Sequence, residues 1–173
     1  RMRALVEGLF QNIPSGVGSH RRDMRLSAPE SRQVLQRGAA WAVAQGYGVA
    51  RDLDHIEERG CLQGAQPEAV SKRALERGRP QLGSLGSGNH FVEIDYVSEI
   101  LHEDAARALG LFQNQITITI HTGSRGLGYQ VCDDAIRVMQ NTTVKYGIHV
   151  PDRQLCCAPL HTPEAQEYID AMY

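Results

Sequence analysis

Two histidines of this 173-residue chain each adjoin a glycine-rich loop, and that pairing is where its residue types best suit chemistry. Gly83-Ser84-Leu85-Gly86-Ser87-Gly88-Asn89-His90 and His121-Thr122-Gly123-Ser124-Arg125-Gly126-Leu127-Gly128 both contain G-x-x-G-x-G. In the first, the histidine follows the last glycine by two residues; in the second, it precedes the first glycine by two. Glycines accept positive φ and let a ligand approach the main chain closely. Successive N–H groups in such loops form anion-binding nests. Arg125 adds a planar cation shaped for phosphate oxygens, and Ser84, Ser87, Thr122 and Ser124 add small hydroxyl donors. Neither loop has the G-x-G-x-x-G order or the Gly-Lys-Ser/Thr ending, so dinucleotide-fold and Walker-type readings have little support. Imidazoles beside two anion-binding loops suit a divalent metal held next to a polyphosphate. Zinc, manganese and iron all accept imidazole, and geometry must choose among them. The plainer accounts are a simple turn for either loop and a satisfied core position for His90, whose parity groups it with Val92, Ile94 and Tyr96.

The elements that must hold these residues are legible in the surrounding periodicity. Phe91-Val92-Glu93-Ile94-Asp95-Tyr96-Val97 and Ile116-Thr117-Ile118-Thr119-Ile120-His121 alternate as strands. The second puts His121 at its C-terminal end on the polar face, where α/β sheets tend to place their sites. The spacing predicts helices over residues 1–12, from the capping box Ser27-x-x-Glu30 to Gly46, over 67–78, over 98–110, and from about Tyr129 to Tyr146. A last helix opens at Thr162-Pro163, and residues 13–22 read as a loop. Irregularly alternating strands and helices predict a mixed α/β (α+β) architecture. The chain opens on Arg1 and stops within its last helix, so it is expected to be a piece of a larger domain.

Composition narrows the classes. The formal net charge of −2 gives no reason for the whole surface to bind nucleic acid non-specifically. The charge is uneven, with seven basic and three acidic residues in positions 1–50, which allows an anionic ligand at one end or simply a solvated face. No apolar run approaches the ~18 residues of a membrane span. Nothing reads as a secretory signal, so the expected location is cytoplasmic. Cys61, Cys132, Cys156 and Cys157 form no C-x-x-C pair, which excludes a zinc ribbon or a thioredoxin-type motif.

The segment from Pro80 through Gly83–His90 to Phe91-Val92-Glu93 resembles the glycine-rich N-H-F-x-E motif of the RtcB family of RNA-splicing ligases. His121 to Gly128 resembles that family's second motif, and Ile13–Gly18 and the stretch from Gly147 to Pro159 also resemble parts of the family. The resemblance implies the central part, residues 1–173, of a single RtcB-like catalytic domain cut at both ends. It implies a ligase dependent on GTP and manganese, with two metal ions, that joins an RNA 3′-phosphate or 2′,3′-cyclic phosphate to a 5′-hydroxyl. A guanylylated histidine passes its guanylyl group to the RNA 3′-phosphate, and the 5′-hydroxyl displaces GMP. Transfer RNA is the expected substrate, and an archease-type activator is a partner the family allows. By the same resemblance His90 and His121 would be metal ligands, and Asn89 would contact the nucleotide phosphate. The run Asn89, His90, Phe91, Val92, Glu93 would line the GTP site, and Arg125 would grip substrate phosphate. Phosphoryl and nucleotidyl transfer is chiefly positioning and charge stabilisation, which suits these residue types.

The family's Asp-x-x-Cys metal motif, its third metal histidine and its guanylylated histidine are expected to lie outside this stretch. His20, His55, His102, His149 and His161 stand in none of those motifs. Asp52-Leu53-Asp54-His55 has the composition of a site, with an exposed turn as the plainer account. Residues 1–173 alone are therefore expected to be inactive. Two other readings remain. One is a non-catalytic module that keeps the loops and binds nucleotide or RNA phosphate. The other is a zinc hydrolase built on His90, Glu93 and His121, which lacks an H-E-x-x-H arrangement.

Overall fold

The computed structural model describes residues 1–21 and 23–173; the last residue of the expected 13–22 loop, Arg22, lies outside the described residues. The chain divides into two compact units. One comprises Arg1–His20 and Gly83–Gly123, the other Arg21–Leu82 and Ser124–Tyr173. Helices and a two-stranded antiparallel sheet are the regular elements among the described residues, in agreement with a mixed α/β architecture.

In the first unit, helix α1 (Met2–Asn12) is amphipathic but buries none of its residues. The chain after it is pinned to the first glycine loop. The Leu85 N–H donates to the Pro14 carbonyl at 2.8 Å, and the Gly16 N–H donates to the Gly86 carbonyl at 3.1 Å. The Ser19 hydroxyl closes the same turn onto the Gly16 carbonyl at 2.8 Å. Strands β1 (Phe91–Tyr96) and β2 (Ile116–His121) then pair antiparallel, with Phe91 opposite His121 and Tyr96 opposite Ile116. Between them the helix expected over 98–110 forms only as α4 (Glu103–Ala108). Its start is fixed by His102, whose Nδ1 accepts from the Ala105 N–H at 3.2 Å. A side chain that caps the first turn delays the helix to the residue after it.

The second unit carries most of the core. Helix α2 (Ala28–Ala44) begins at the expected capping box, where the Ser27 N–H donates to Glu30 Oε2 at 2.7 Å and the Glu30 N–H donates to Ser27 Oγ at 3.3 Å. Hydrogen bonds from the Ser27 hydroxyl and then its N–H hold the Glu30 carboxyl below its ordinary value. The helix is kinked at Gly38 (φ 48°, ψ −132°), a position that only glycine suits, because the Gly60 carbonyl occupies the space a Cβ would need. The helix expected over 67–78 is split into a 3-10 turn at Pro67–Ala69 and helix α3 (Lys72–Gly78). Ser71 is the cause: its hydroxyl accepts from the Ala74 N–H at 3.1 Å, so the α-helix starts afresh there. Helix α5 (Arg125–Lys145) starts at Arg125 rather than near Tyr129, and ends where Gly147 adopts φ 65°. Helix α6 (Pro163–Met172) is capped by Thr162, as its sequence predicts. Val70, Ala74 and Val131 form the buried centre, with Leu35, Leu75, Leu127 and Tyr168 packed around it. Each buried valine contributes about 1.5–3 kcal/mol. Asp52 proves to be a capping residue: its carboxylate accepts from the Val49 N–H at 2.9 Å at the start of the 3-10 turn Ala50–His55. Among the described residues no helix is long and apolar enough to cross a membrane.

Candidate functional site

The end of the β1–β2 hairpin gathers most of the residues singled out above. His121 is the last residue of β2 and faces Phe91, the first of β1. Their rings stack at 5.4 Å between centroids with an interplanar angle of 21°. The His90 and His121 rings converge to 6.0 Å, edge to face. Two neighbours cross-brace the pair. Thr122 Oγ1, just after His121, stands 3.2 Å from His90 Nδ1, and Asn89 Nδ2, just before His90, stands 3.5 Å from His121 Nε2. The positive φ of Gly88 (73°) turns the chain so that Asn89 and His90 enter the site rather than extend the strand.

Strand parity is a poor guide to His90 for that reason. Parity groups it with Val92, Ile94 and Tyr96, but His90 precedes the ladder, is only half-buried, and turns its ring to His121. Residues directly opposite in an antiparallel pair share a face. Phe91 and Glu93 therefore lie with His121 and Thr119, while Val92 lies with Ile120 on the other face. Of the run Asn89–Glu93, Val92 is thus the member whose side chain is directed away from the histidine pair.

The donor set fits a divalent ion as far as it goes. Imidazoles that share one ion at ~2.1 Å hold their centroids roughly 5 Å apart, so the rings, at 6.0 Å, stand slightly wider than a shared ion would hold them. A ligating histidine ordinarily has its second nitrogen fixed by a hydrogen-bond partner, which is the place Thr122 takes beside His90 Nδ1. Among the described residues no group of three or more His, Cys, Asp or Glu stands together in a metal-binding arrangement. Two imidazoles alone are a weak site for a hard ion, which wants several oxygen ligands.

The second glycine loop is only partly a loop. Gly126 and Gly128 lie within the first turn of α5, and glycine there serves close packing. A Cβ on Gly126 would stand 2.7 Å from Gln81 Oε1, and one on Gly128 would overlap the Ser124 hydroxyl. Arg125 opens the helix at φ 56°, a left-handed conformation that costs an arginine of order 1–3 kcal/mol. Such strain persists only where neighbouring contacts enforce it. Ser124, at the N-cap, makes no side-chain capping bond. The polar network beneath this turn was not visible in the sequence. Gln130 is fully buried, and its Oε1 accepts from Arg77 Nη1 at 2.7 Å while its Nε2 donates to Asp134 Oδ1 at 2.8 Å. The Ser71 hydroxyl donates to Asp134 Oδ2 at 2.7 Å, which ties the cap of α3 to α5. The Ser71 and then the Gln130 hydrogen bond hold the Asp134 carboxyl below its ordinary value.

The family model described as "tRNA-splicing ligase RtcB" matches residues 1–173. The chain is 51% identical to a tRNA-splicing ligase RtcB of Archaeoglobus fulgidus over 171 residues, covering 99% of this chain and 35% of that protein. It is 51% identical to the protein of that name from Thermococcus kodakarensis and 49% identical to that from Methanococcus maripaludis, each over 172 residues, 99% of this chain and 36% of the relative. The chain thus spans about a third of the length of these relatives.

Proposed function

The chain belongs to the RtcB family, and from that premise we propose that it is a segment of an RNA ligase whose full-length form joins RNA 3′-phosphate or 2′,3′-cyclic phosphate ends to 5′-hydroxyl ends. GTP is the co-substrate, manganese the resident metal and spliced transfer RNA the expected product. An archease-type activator is a candidate partner and the cytoplasm the expected compartment. The guanylylated histidine and the remaining metal ligands come from parts of the protein outside residues 1–173.

The observation that carries this reading is the cross-braced histidine pair, one ring from each of the two family motifs, 6.0 Å apart. His90 and His121 would hold the manganese, and Nε2 is the His90 nitrogen left for it, since Nδ1 faces Thr122. Manganese in such a site supplies charge neutralisation and activation of a nucleophile. Asn89 contributes a neutral N–H donor to nucleotide phosphate without competing for the metal. Glu93, on the His121 face, accepts hydrogen bonds from the guanine N–H groups, and Phe91 shields that face from water. Arg125 orients the RNA phosphate and stabilises the charge that builds on it during transfer.

The test is a labelled-GTP transfer and RNA-sealing assay on the full-length protein, run beside manganese titration. The intact protein should take label and seal. His90→Ala and His121→Ala should each lose sealing and bind manganese more weakly. Unimpaired sealing by either variant would remove that histidine from the site. GTP binding with no covalent adduct in the full-length protein would favour the non-catalytic phosphate-binding module instead.

A further inference from the structure

The first turn of α5 is capped from outside its own sequence. Ser124 leaves the capping role unfilled, and the Gly126 N–H donates instead to Gln81 Oε1 at 2.8 Å. Gln81 closes the short 3-10 turn Arg79–Gln81 that follows α3. That turn is anchored to the helix it caps. A Cβ on Gly78 would stand 2.6 Å from Leu127 Cβ, so α3 and α5 touch almost backbone to backbone there. Arg77 locks the same junction through Gln130 and lies over the Tyr129 ring at 4.8 Å.

The bond made by Gln81 bears directly on Arg125. The Gly126 N–H belongs to the peptide plane that joins Arg125 to Gly126, so a fixed acceptor on it sets the ψ of Arg125. Arg125 already sits at φ 56°, where an L residue stays only if its surroundings hold it. Gly126 completes the arrangement, because a Cβ there would displace the flexible end of Gln81 from its place.

We propose that Gln81 is a positioning residue for Arg125: its side-chain carbonyl fixes the Arg125–Gly126 peptide and so aims the guanidinium. This rests on the reading of Arg125 as the group that grips substrate phosphate. Gln81 touches no reacting atom in this role; it acts through the backbone of α5.

The experiment is sealing kinetics with the full-length protein carrying Gln81→Met, Gln81→Glu, Gly126→Ala, Arg125→Ala and the Gln81→Met/Arg125→Ala pair. Methionine keeps the shape and removes the acceptor, and glutamate keeps an acceptor at the same reach. Gln81→Met should lower kcat roughly fivefold to tenfold, the worth of one partly buried hydrogen bond, while Gln81→Glu stays within about threefold of wild type by the same measure. Gly126→Ala should lose activity like Gln81→Met although alanine favours the helix, which separates aiming from stability. It also carries the test if Gln81→Met fails to fold. In the Arg125→Ala background Gln81→Met should cost nothing further, since residues that act as a unit are not additive. Additive losses in that cycle, or equal losses in the Met and Glu variants, would overturn the proposal. So would wild-type sealing by Gln81→Met beside a crippled Arg125→Ala. Wild-type sealing by Arg125→Ala itself would overturn the Arg125 reading and this proposal with it.

Discussion

The two units of this chain divide the work unequally. The unit built from Arg1–His20 and Gly83–Gly123 holds both histidines, yet Ala106 is the one apolar side chain it buries among the described residues. Its hairpin leaves Ile116, Ile118 and Ile120 each more than 60% exposed. The unit built from Arg21–Leu82 and Ser124–Tyr173 buries Trp41, Val70, Ala74, Val131 and Ala165 and adds a satisfied polar network around Gln130. An isolated two-stranded hairpin is marginal in water, so the histidine-bearing unit has little of its own to hold it. The lesson is that the histidine pair and the packed core reside on different elements here, while α5 carries both Arg125 and core residues. Substitutions at the histidine pair should register in activity, and substitutions in the buried Gln130 network should register first in stability.

The sharpest break of that contrast would come from the histidines. In the full-length protein, His90→Ala or His121→Ala should abolish measurable sealing while moving the thermal midpoint little, because neither ring is part of a packed core. With the guanylylated histidine proposed to lie in another segment, the isolated 173-residue chain should take no label from GTP at all, since no positioning effect replaces a nucleophile. A covalent GMP adduct on it would refute the assignment of the guanylylated histidine to another segment.

Arg125→Ala comes next. Loss of a charged contact that strengthens in the transition state should cost about 2–4 kcal/mol, read as a fall in kcat with manganese affinity nearly unchanged. Since alanine at φ 56° is also strained, the stability change should be small, and a large drop in thermal midpoint would move Arg125 to the structural side of the comparison.

In the second unit, Gln130→Leu should destabilise by about 1–3 kcal/mol, because Arg77 and Asp134 lose buried partners that leucine cannot replace. Chemical denaturation of the wild type and variant would measure it. An unchanged midpoint would show the network to be dispensable, and with it the view that this unit supplies the framework.

The smallest effect is electrostatic. The Asp134 carboxyl is held below its ordinary value by the Ser71 hydroxyl first and the Gln130 amide second. A group depressed in the folded state stabilises above its unfolded value, and that stability is lost as pH falls through the folded one. The thermal midpoint should therefore drop on acidification below the ordinary carboxylate range, and the drop should be shallower in Asp134→Asn. An identical acid profile in the two proteins would remove Asp134 from the account.

Much of the local structure could be read directly from residue order. The Ser27–Glu30 box, the Thr162-Pro163 start, the Gly147 stop and the alternation of both strands are short-range signals, and each formed where its side chains dictate. Two expected helices were altered where a capping side chain competed with the periodicity, and α5 began four residues earlier than its periodicity marked. Ser71 broke one expected helix in two, and His102 shortened another. Residue types and motif order likewise marked His90, His121 and Arg125 from the sequence alone. What only the tertiary structure decided is how these groups are aimed. The turn at Gly88 takes His90 out of strand parity, Asn89 and Thr122 brace the histidines from across the hairpin, and Gln81 caps a helix whose first residue lies 44 positions later. Those contacts join residues far apart in the chain. No periodicity reports them, because a hydrogen bond between distant groups exists only once packing has brought its donor and acceptor together.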